Sequence, residues 1–170
     1  MALRHRLSLA CALAMALAGA SCGKAPPPPP TAPPPPVTIA AAPEAKVKTS
    51  LTIAAGTDVN PDINGRPSPV VVRVYQLKAD GAFTGAEFFA LYNEEEKALG
   101  PELITRDEFV LAPAESRTLD VTLSPETRFV GAIAAFRDIR NAQWRAVLAA
   151  PKTGMTVAVE RARIVLSAGK

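Results

Sequence analysis

The chain has 170 residues, 17 of them proline, and 21% are charged, which leaves room for one folded domain beside an extended segment. Its formal charge of +3 overstates its basicity, because Arg4 and Arg6 fall in a leader expected to be removed, and without them 17 basic residues face 16 acidic ones. A charge so balanced and so scattered excludes the electrostatic footprint of nucleic-acid binding.

Met1–Ser21 opens with Arg4, His5 and Arg6 and continues as an apolar run from Leu7 to Ala18. That run is too short for a spanning helix, which needs ~20 apolar residues. It reads as a signal peptide, residues 1–21, ending in the small residues Gly19, Ala20 and Ser21. Small residues before Cys22 resemble a bacterial lipobox, in which the cysteine is lipidated and becomes the new N-terminus. Gly19 departs from that pattern, and an ordinary signal peptide with an incidental cysteine is the alternative. Once the leader is gone, Cys22 is the one cysteine left and no histidine remains. An intrachain disulfide, a Cys/His zinc site and a histidine-based catalytic triad are thereby excluded, and neither a metal nor a cofactor is expected.

Residues 22–46 form the next segment, with nine prolines between Pro26 and Pro36. Such a tract favours the extended polyproline conformation and reads as a semi-rigid spacer. At ~3.1 Å per residue it reaches up to ~75 Å.

The folded domain is expected over residues 47–170. Val47–Ala55 alternates apolar and polar residues with the period of a half-buried strand. Asn60–Pro69 follows with three prolines, an Asn-Gly pair, Asp62 and Arg66, a stiff polar loop feeding a buried strand, Val70–Leu77. Beyond Asp80-Gly81 the period changes: Phe88, Leu91, Tyr92 and Leu99 predict one helix or two short ones between about Ala86 and Leu99, closed by Gly100-Pro101. Glu94, Glu95 and Glu96 are adjacent on that helix, point in different directions and read as a solvated face. Strands are then expected at Leu103–Leu111, Ser116–Leu123, Phe129–Phe136, Gln143–Ala149, Met155–Glu160 and Arg163–Ser167. Ser116–Leu123 alternates cleanly, with Leu119, Val121 and Leu123 inward. Phe129–Phe136 is apolar on both faces and should lie centrally. All nine aromatic residues fall between Tyr75 and Trp144, which places the core there. About eight closely spaced strands with one helical insertion suit a mainly β fold, a two-sheet β-sandwich with a helical excursion on one side.

Chemistry-bearing groups are few. Ser68 and Lys78 lack any setting that would activate them, no glycine-rich phosphate cradle occurs, and no pair of acids is placed for general acid/base work, so an enzyme is not expected. Arg137, Asp138, Trp144 and Arg145 form the one dense polar-aromatic group. If Asp138–Gln143 is a hairpin loop, Arg137 and Trp144 become cross-strand neighbours and a guanidinium-on-indole contact follows. The stronger candidate for recognition is the proline-braced loop. Asp58, Asp62 and Arg66 can supply register, Ile63 an apolar anchor at the tip, and Asn64-Gly65 a turn with positive φ, with Asn60 and Pro61 at its entry.

The ordered set NPD, GRPSPVVVRVYQL, FFALY, AFRD and WR, spread between Leu51 and Leu166 behind a lipoprotein-like leader, resembles the type VI secretion system lipoprotein family TssJ. The resemblance implies a transthyretin-like sandwich with an added helix, on an outer-membrane lipoprotein facing the periplasm. It also implies a function: anchoring the type VI membrane complex by binding the periplasmic C-terminal region of the inner-membrane protein TssM. The loop between the first two strands, here Thr57–Ser68, is implicated in that contact. The alternatives are a pilotin-like lipoprotein partner of another envelope assembly, or a small-ligand or glycan carrier, which would need an apolar cleft; no small-molecule substrate is expected.

Overall fold

The computed structural model describes residues 46–169. The expected signal peptide, Cys22 and the spacer up to Ala45 lie outside the described residues. No helix among the described residues is long and apolar enough to cross a membrane.

Eight strands build two four-stranded sheets: β1 Val47–Ala55, β2 Val70–Leu77, β3 Leu103–Leu111, β4 Ser116–Leu123, β5 Phe129–Ala134, β6 Arg145–Ala149, β7 Met155–Val159 and β8 Ile164–Ala168. One sheet runs β4-β1-β7-β8 and the other β3-β2-β5-β6. Every pair is antiparallel except β1 with β7, which run parallel with Leu51 beside Met155 and Ala55 beside Val159.

The alternation of β1 explains its place. Thr49, Leu51, Ile53 and Ala55 are buried while Lys48 and Ser50 face solvent, so one face packs and the other is wet. β2 and β5 are different, being apolar on both faces and central in their sheet. Val70, Val72 and Val74 point into the space between the sheets, whereas Tyr75 and Leu77 point the other way, with Ile133 of β5. The second face therefore needs a cover, and the segment between β2 and β3 supplies it.

Of the one helix or two short ones expected between Ala86 and Leu99, the structure has the two short ones, and it adds a third before them: α1 Gly81–Gly85, α2 Phe88–Asn93 and α3 Glu95–Leu99, followed by a 3-10 turn at Gly100–Glu102. The break between α1 and α2 comes at Ala86 and Glu87, both extended, and the break before α3 at Glu94. Helices of five or six residues cannot persist alone, so packing and borrowed capping hold them. Glu102 Oε2 accepts the Ala82 N–H at 3.0 Å, and Arg145 donates to the Phe83 and Ala86 carbonyls at 2.8 and 2.9 Å. Phe83, Phe88, Leu91 and Leu99 pack down on Tyr75, Leu77 and Ile133. Gly131 lets Phe83 lie flat on β5, since a Cβ there would sit 2.7 Å from the Phe83 ring.

Two further expectations change. The space between the sheets is filled almost wholly by aliphatic side chains, with Phe136 the one buried aromatic in it. The aromatics gather instead under the helices, where Phe88 stacks on Tyr92 and meets Trp144 edge-on. Two β-sheets leave a gap that Val, Leu and Ile fill, while an irregular helical cover leaves larger gaps for rings. Nor is Glu95 on a solvated face. It accepts from Arg106 Nε at 2.5 Å and from Arg73 at 3.4 Å, and the Tyr75 hydroxyl lies 3.4 Å from it. Arg73 also donates to Glu108 Oε2 and the Tyr92 carbonyl, both at 2.6 Å, and sits over the Tyr92 ring at 4.2 Å. The network ties α2 and α3 to β2 and β3.

Candidate functional site

Three loops meet at one end of the sandwich: the β1–β2 loop, the segment between β5 and β6, and the turn between β7 and β8. The first is shaped by its own residues. Asp62 accepts the Asn64 and Arg66 N–H groups on Oδ1 at 2.8 and 2.9 Å, and Arg66 Nε on Oδ2 at 2.8 Å. Its own N–H donates to the Arg66 carbonyl at 2.8 Å, and Gly65 N–H returns to the Asp62 carbonyl at 2.9 Å. Gly65 has φ +79°, the left-handed geometry that glycine takes without strain. The Arg66 N–H, with the Arg66 guanidinium and the Asn64 N–H behind it, holds the Asp62 carboxyl below the usual carboxylate range. The carboxylate closes the turn and leaves Ile63 fully exposed at its tip.

Asn60 fastens this turn to the rest of the end. It is buried and sits at φ 48°, a conformation asparagine tolerates better than most residues. Its Nδ2 donates to the Pro69 carbonyl at 2.7 Å, its Oδ1 accepts the Arg137 N–H at 2.8 Å, and its N–H donates to the Arg161 carbonyl at 2.9 Å. One residue thus joins all three loops. Val59 beside it is buried, and Ser68 N–H donates to the Val59 carbonyl at 3.1 Å, closing the loop's neck.

An open cleft of about 610 Å³ lies beside the tip, lined by Asn60–Ile63, Phe136–Asp138, Arg161 and Ala162. Asp58 is outside this cleft and 3.8 Å from Arg161 in an exposed pair. Phe136, Arg161 and Ala162 were not among the expected site residues. The Arg-Ala-Arg sequence in a polar turn was the available signal, but its nearness to Asn60 depends on the parallel pairing of β1 with β7.

The group Arg137, Asp138, Trp144 and Arg145 is split by the fold. Arg137 and Asp138 belong to the cleft, whereas Trp144 and Arg145 belong to the helical side. The expected contact between Arg137 and Trp144 does not form; Arg145 covers the Trp144 ring at 4.7 Å instead. The hairpin register explains this, since Ile133 pairs with Arg145 and the Ala134 N–H donates to the Trp144 carbonyl, well short of Arg137. Beyond Ala134 the chain leaves the ladder, and the Asp138 carbonyl takes the Asn141 and Ala142 N–H groups in a turn.

Among the described residues, no group of three or more His, Cys, Asp or Glu is placed to hold a metal ion. What the loop end offers is a rigid apolar knob, exposed guanidinium groups and an open cleft, which is equipment for recognising a surface.

Residues 47–167 match the model of a family described as type VI secretion lipoproteins, VasD, EvfM and TssJ. The crystal structure of the T6SS lipoprotein TssJ1 from Pseudomonas aeruginosa is similar, with a TM-score of 0.71 and 34% identity over 74% of this chain and 98% of that one. Serratia marcescens Lip, a membrane-bound component of the type VI secretion system, shares the fold at a TM-score of 0.67 and 24% identity, over 74% of this chain and 99% of Lip. A chain in the structure of the T6SS protein TssM C-terminal domain (869–1107) from EAEC matches with a TM-score of 0.61 and 29% identity, over 74% of this chain and all of that one. No match is found among curated proteins.

Proposed function

We propose, since this chain belongs to the type VI secretion lipoprotein family that includes TssJ, that it anchors a type VI membrane complex by binding the periplasmic C-terminal region of TssM. In this reading residues 1–21 are removed, Cys22 carries the lipid in the outer membrane, residues 22–46 hold the domain away from it, and residues 47–170 bind in the periplasm. The protein acts by holding a partner, with no catalytic step.

The observation that carries the choice of surface is Ile63, a large apolar side chain left 100% exposed on a loop braced by hydrogen bonds at Asn60, Asp62, Asn64 and Arg66. A folded protein gains nothing from that arrangement, whereas an interface does. A stiff loop loses little conformational entropy on docking, and an apolar tip fills a partner pocket. The match to a chain in the TssM domain structure supports a partner of that kind. The clefts of the described domain are open and rimmed by charge, which suits a protein surface better than the apolar cargo of a small-ligand carrier.

Replacing Ile63 with Ser tests the reading. Burial of such a side chain is worth about 1.5–3 kcal/mol, so affinity for the TssM periplasmic region should fall about ten- to hundredfold in calorimetry. Stability should stay within about 0.5 kcal/mol, because Ile63 packs on nothing. Unchanged affinity would move the interface away from the loop. The anchor is tested separately: Cys22→Ser should release the protein from the membrane fraction, and retention there would assign the attachment to another segment.

A further inference from the structure

The cleft beside Ile63 holds two carboxylates and two guanidinium groups whose hydrogen-bonding capacity is spent differently. Asp62 is committed to its own turn, with both oxygens accepting hydrogen bonds and its side chain 19% exposed. Asp138 accepts Asn141 Nδ2 on both oxygens, at 3.0 and 2.9 Å. The cations are spent differently. Arg137 is exposed and gives its backbone N–H to Asn60; its guanidinium acts on the Asp62 carboxyl only through charge, and among the described residues it forms no ion pair or side-chain hydrogen bond. Arg161 is 59% exposed, and among the described residues its guanidinium pairs only with Asp58, at 3.8 Å, beyond hydrogen-bond range. Each guanidinium carries five donors in a flat fork suited to a carboxylate, and both line the same cleft.

We propose that this cleft receives a carboxylate-bearing segment of the partner protein, its acid met by the guanidinium groups of Arg137 and Arg161 while Ile63 enters an apolar pocket alongside. The inference rests on the loop end being the docking surface proposed above, and adds the chemistry of what docks there. Ile63 supplies contact area and the arginines supply orientation and partner choice, since a partner with a lysine or arginine at that point would be repelled. Asp138 is the counterweight: its charge remains in the cleft and opposes the incoming acid.

The test uses the full chain in detergent, with the TssM periplasmic region as probe, at low and high salt. Arg137→Glu/Arg161→Glu should raise Kd at least about tenfold at low salt and flatten the salt dependence. Arg137→Lys/Arg161→Lys should keep most of the affinity, and Asp138→Asn should tighten binding a few fold. None of these side chains packs in the core, and the Arg137 bond to Asn60 is made by backbone, so melting temperature should stay level. Reversal variants that bind like wild type, with the same salt dependence, overturn the inference. If Ile63→Ser still weakens binding in that case, the docking surface stands and only its charge reading fails. If neither Ile63→Ser nor the reversal weakens binding, both fail together. Loss of binding to phosphatidylglycerol vesicles, with probe binding intact, would give the arginines to a lipid surface and overturn it as well.

Discussion

Asn60 is where fold and candidate site are joined, and substituting it separates two physical contributions. Asn60→Ala removes the hydrogen bonds to the Pro69 carbonyl and the Arg137 N–H, at 2.7 and 2.8 Å. Each contributes about 0.5–1.5 kcal/mol net. Alanine must also hold φ 48°, which costs roughly 1 kcal/mol that asparagine largely avoids. The expected loss is about 2–4 kcal/mol, a large part of a small domain's margin. Asn60→Gly loses the same bonds but accepts the backbone angle, so it should be less harmful than alanine by about 1 kcal/mol. Chemical denaturation of wild type and both variants measures the difference. Binding to the TssM periplasmic region should fall further than stability predicts, because the loop would lose its fixed attitude to Arg137. Equal stability of the two variants would refute the strain component. Variants within about 0.5 kcal/mol of wild type would refute the idea that Asn60 braces the loop end at all.

Phe88 and Phe89 should separate cleanly: Phe88→Ala should cost about 3–5 kcal/mol and Phe89→Ala little, since Phe88 is 8% exposed and Phe89 63%, and thermal melts of the pair decide it. Gly131→Ala should destabilise by about 1–3 kcal/mol despite relieving a flexible strand position, because its methyl collides with the Phe83 ring; a more stable variant would show that Phe83 has room to move. Burial pushes the Tyr75 hydroxyl up to about 12 from the 10 expected when unfolded, so the unfolded chain ionises first. Stability should therefore fall as pH rises from 10 towards 12, by at most about 1.4 kcal/mol per unit, and Tyr75→Phe should flatten that part of the pH profile.

The sequence alone determined what depends on neighbours along the chain. The alternation in Ser116–Leu123 and in Val47–Ala55 makes each a strand with one wet face, and the observed strands have those bounds. Apolar or aromatic side chains at neighbouring positions of Val70–Leu77, with Arg73 and Gln76 the exceptions, imply cover on both faces, which the structure provides with the opposite sheet and the helices. Proline spacing and Asn64-Gly65 made the loop legible as a stiff turn, because φ restriction and left-handed glycine are local properties.

Tertiary structure alone decided which distant groups meet. The parallel pairing of β1 with β7 brings Arg161 against Asn60 across about a hundred residues, and no local pattern encodes that pairing. The hairpin register gave Trp144 to Arg145 instead of Arg137, although both arginines were near enough in sequence to compete. Glu95 looked like one of three solvated acids until β2 and β3 placed Arg73 and Arg106 beneath it. Side-chain chemistry is set by residue type, but the partner that satisfies a charge is set by long-range packing. Loop stiffness therefore shows in the sequence, while the cleft beside the loop exists only once three distant segments have been folded to the same end.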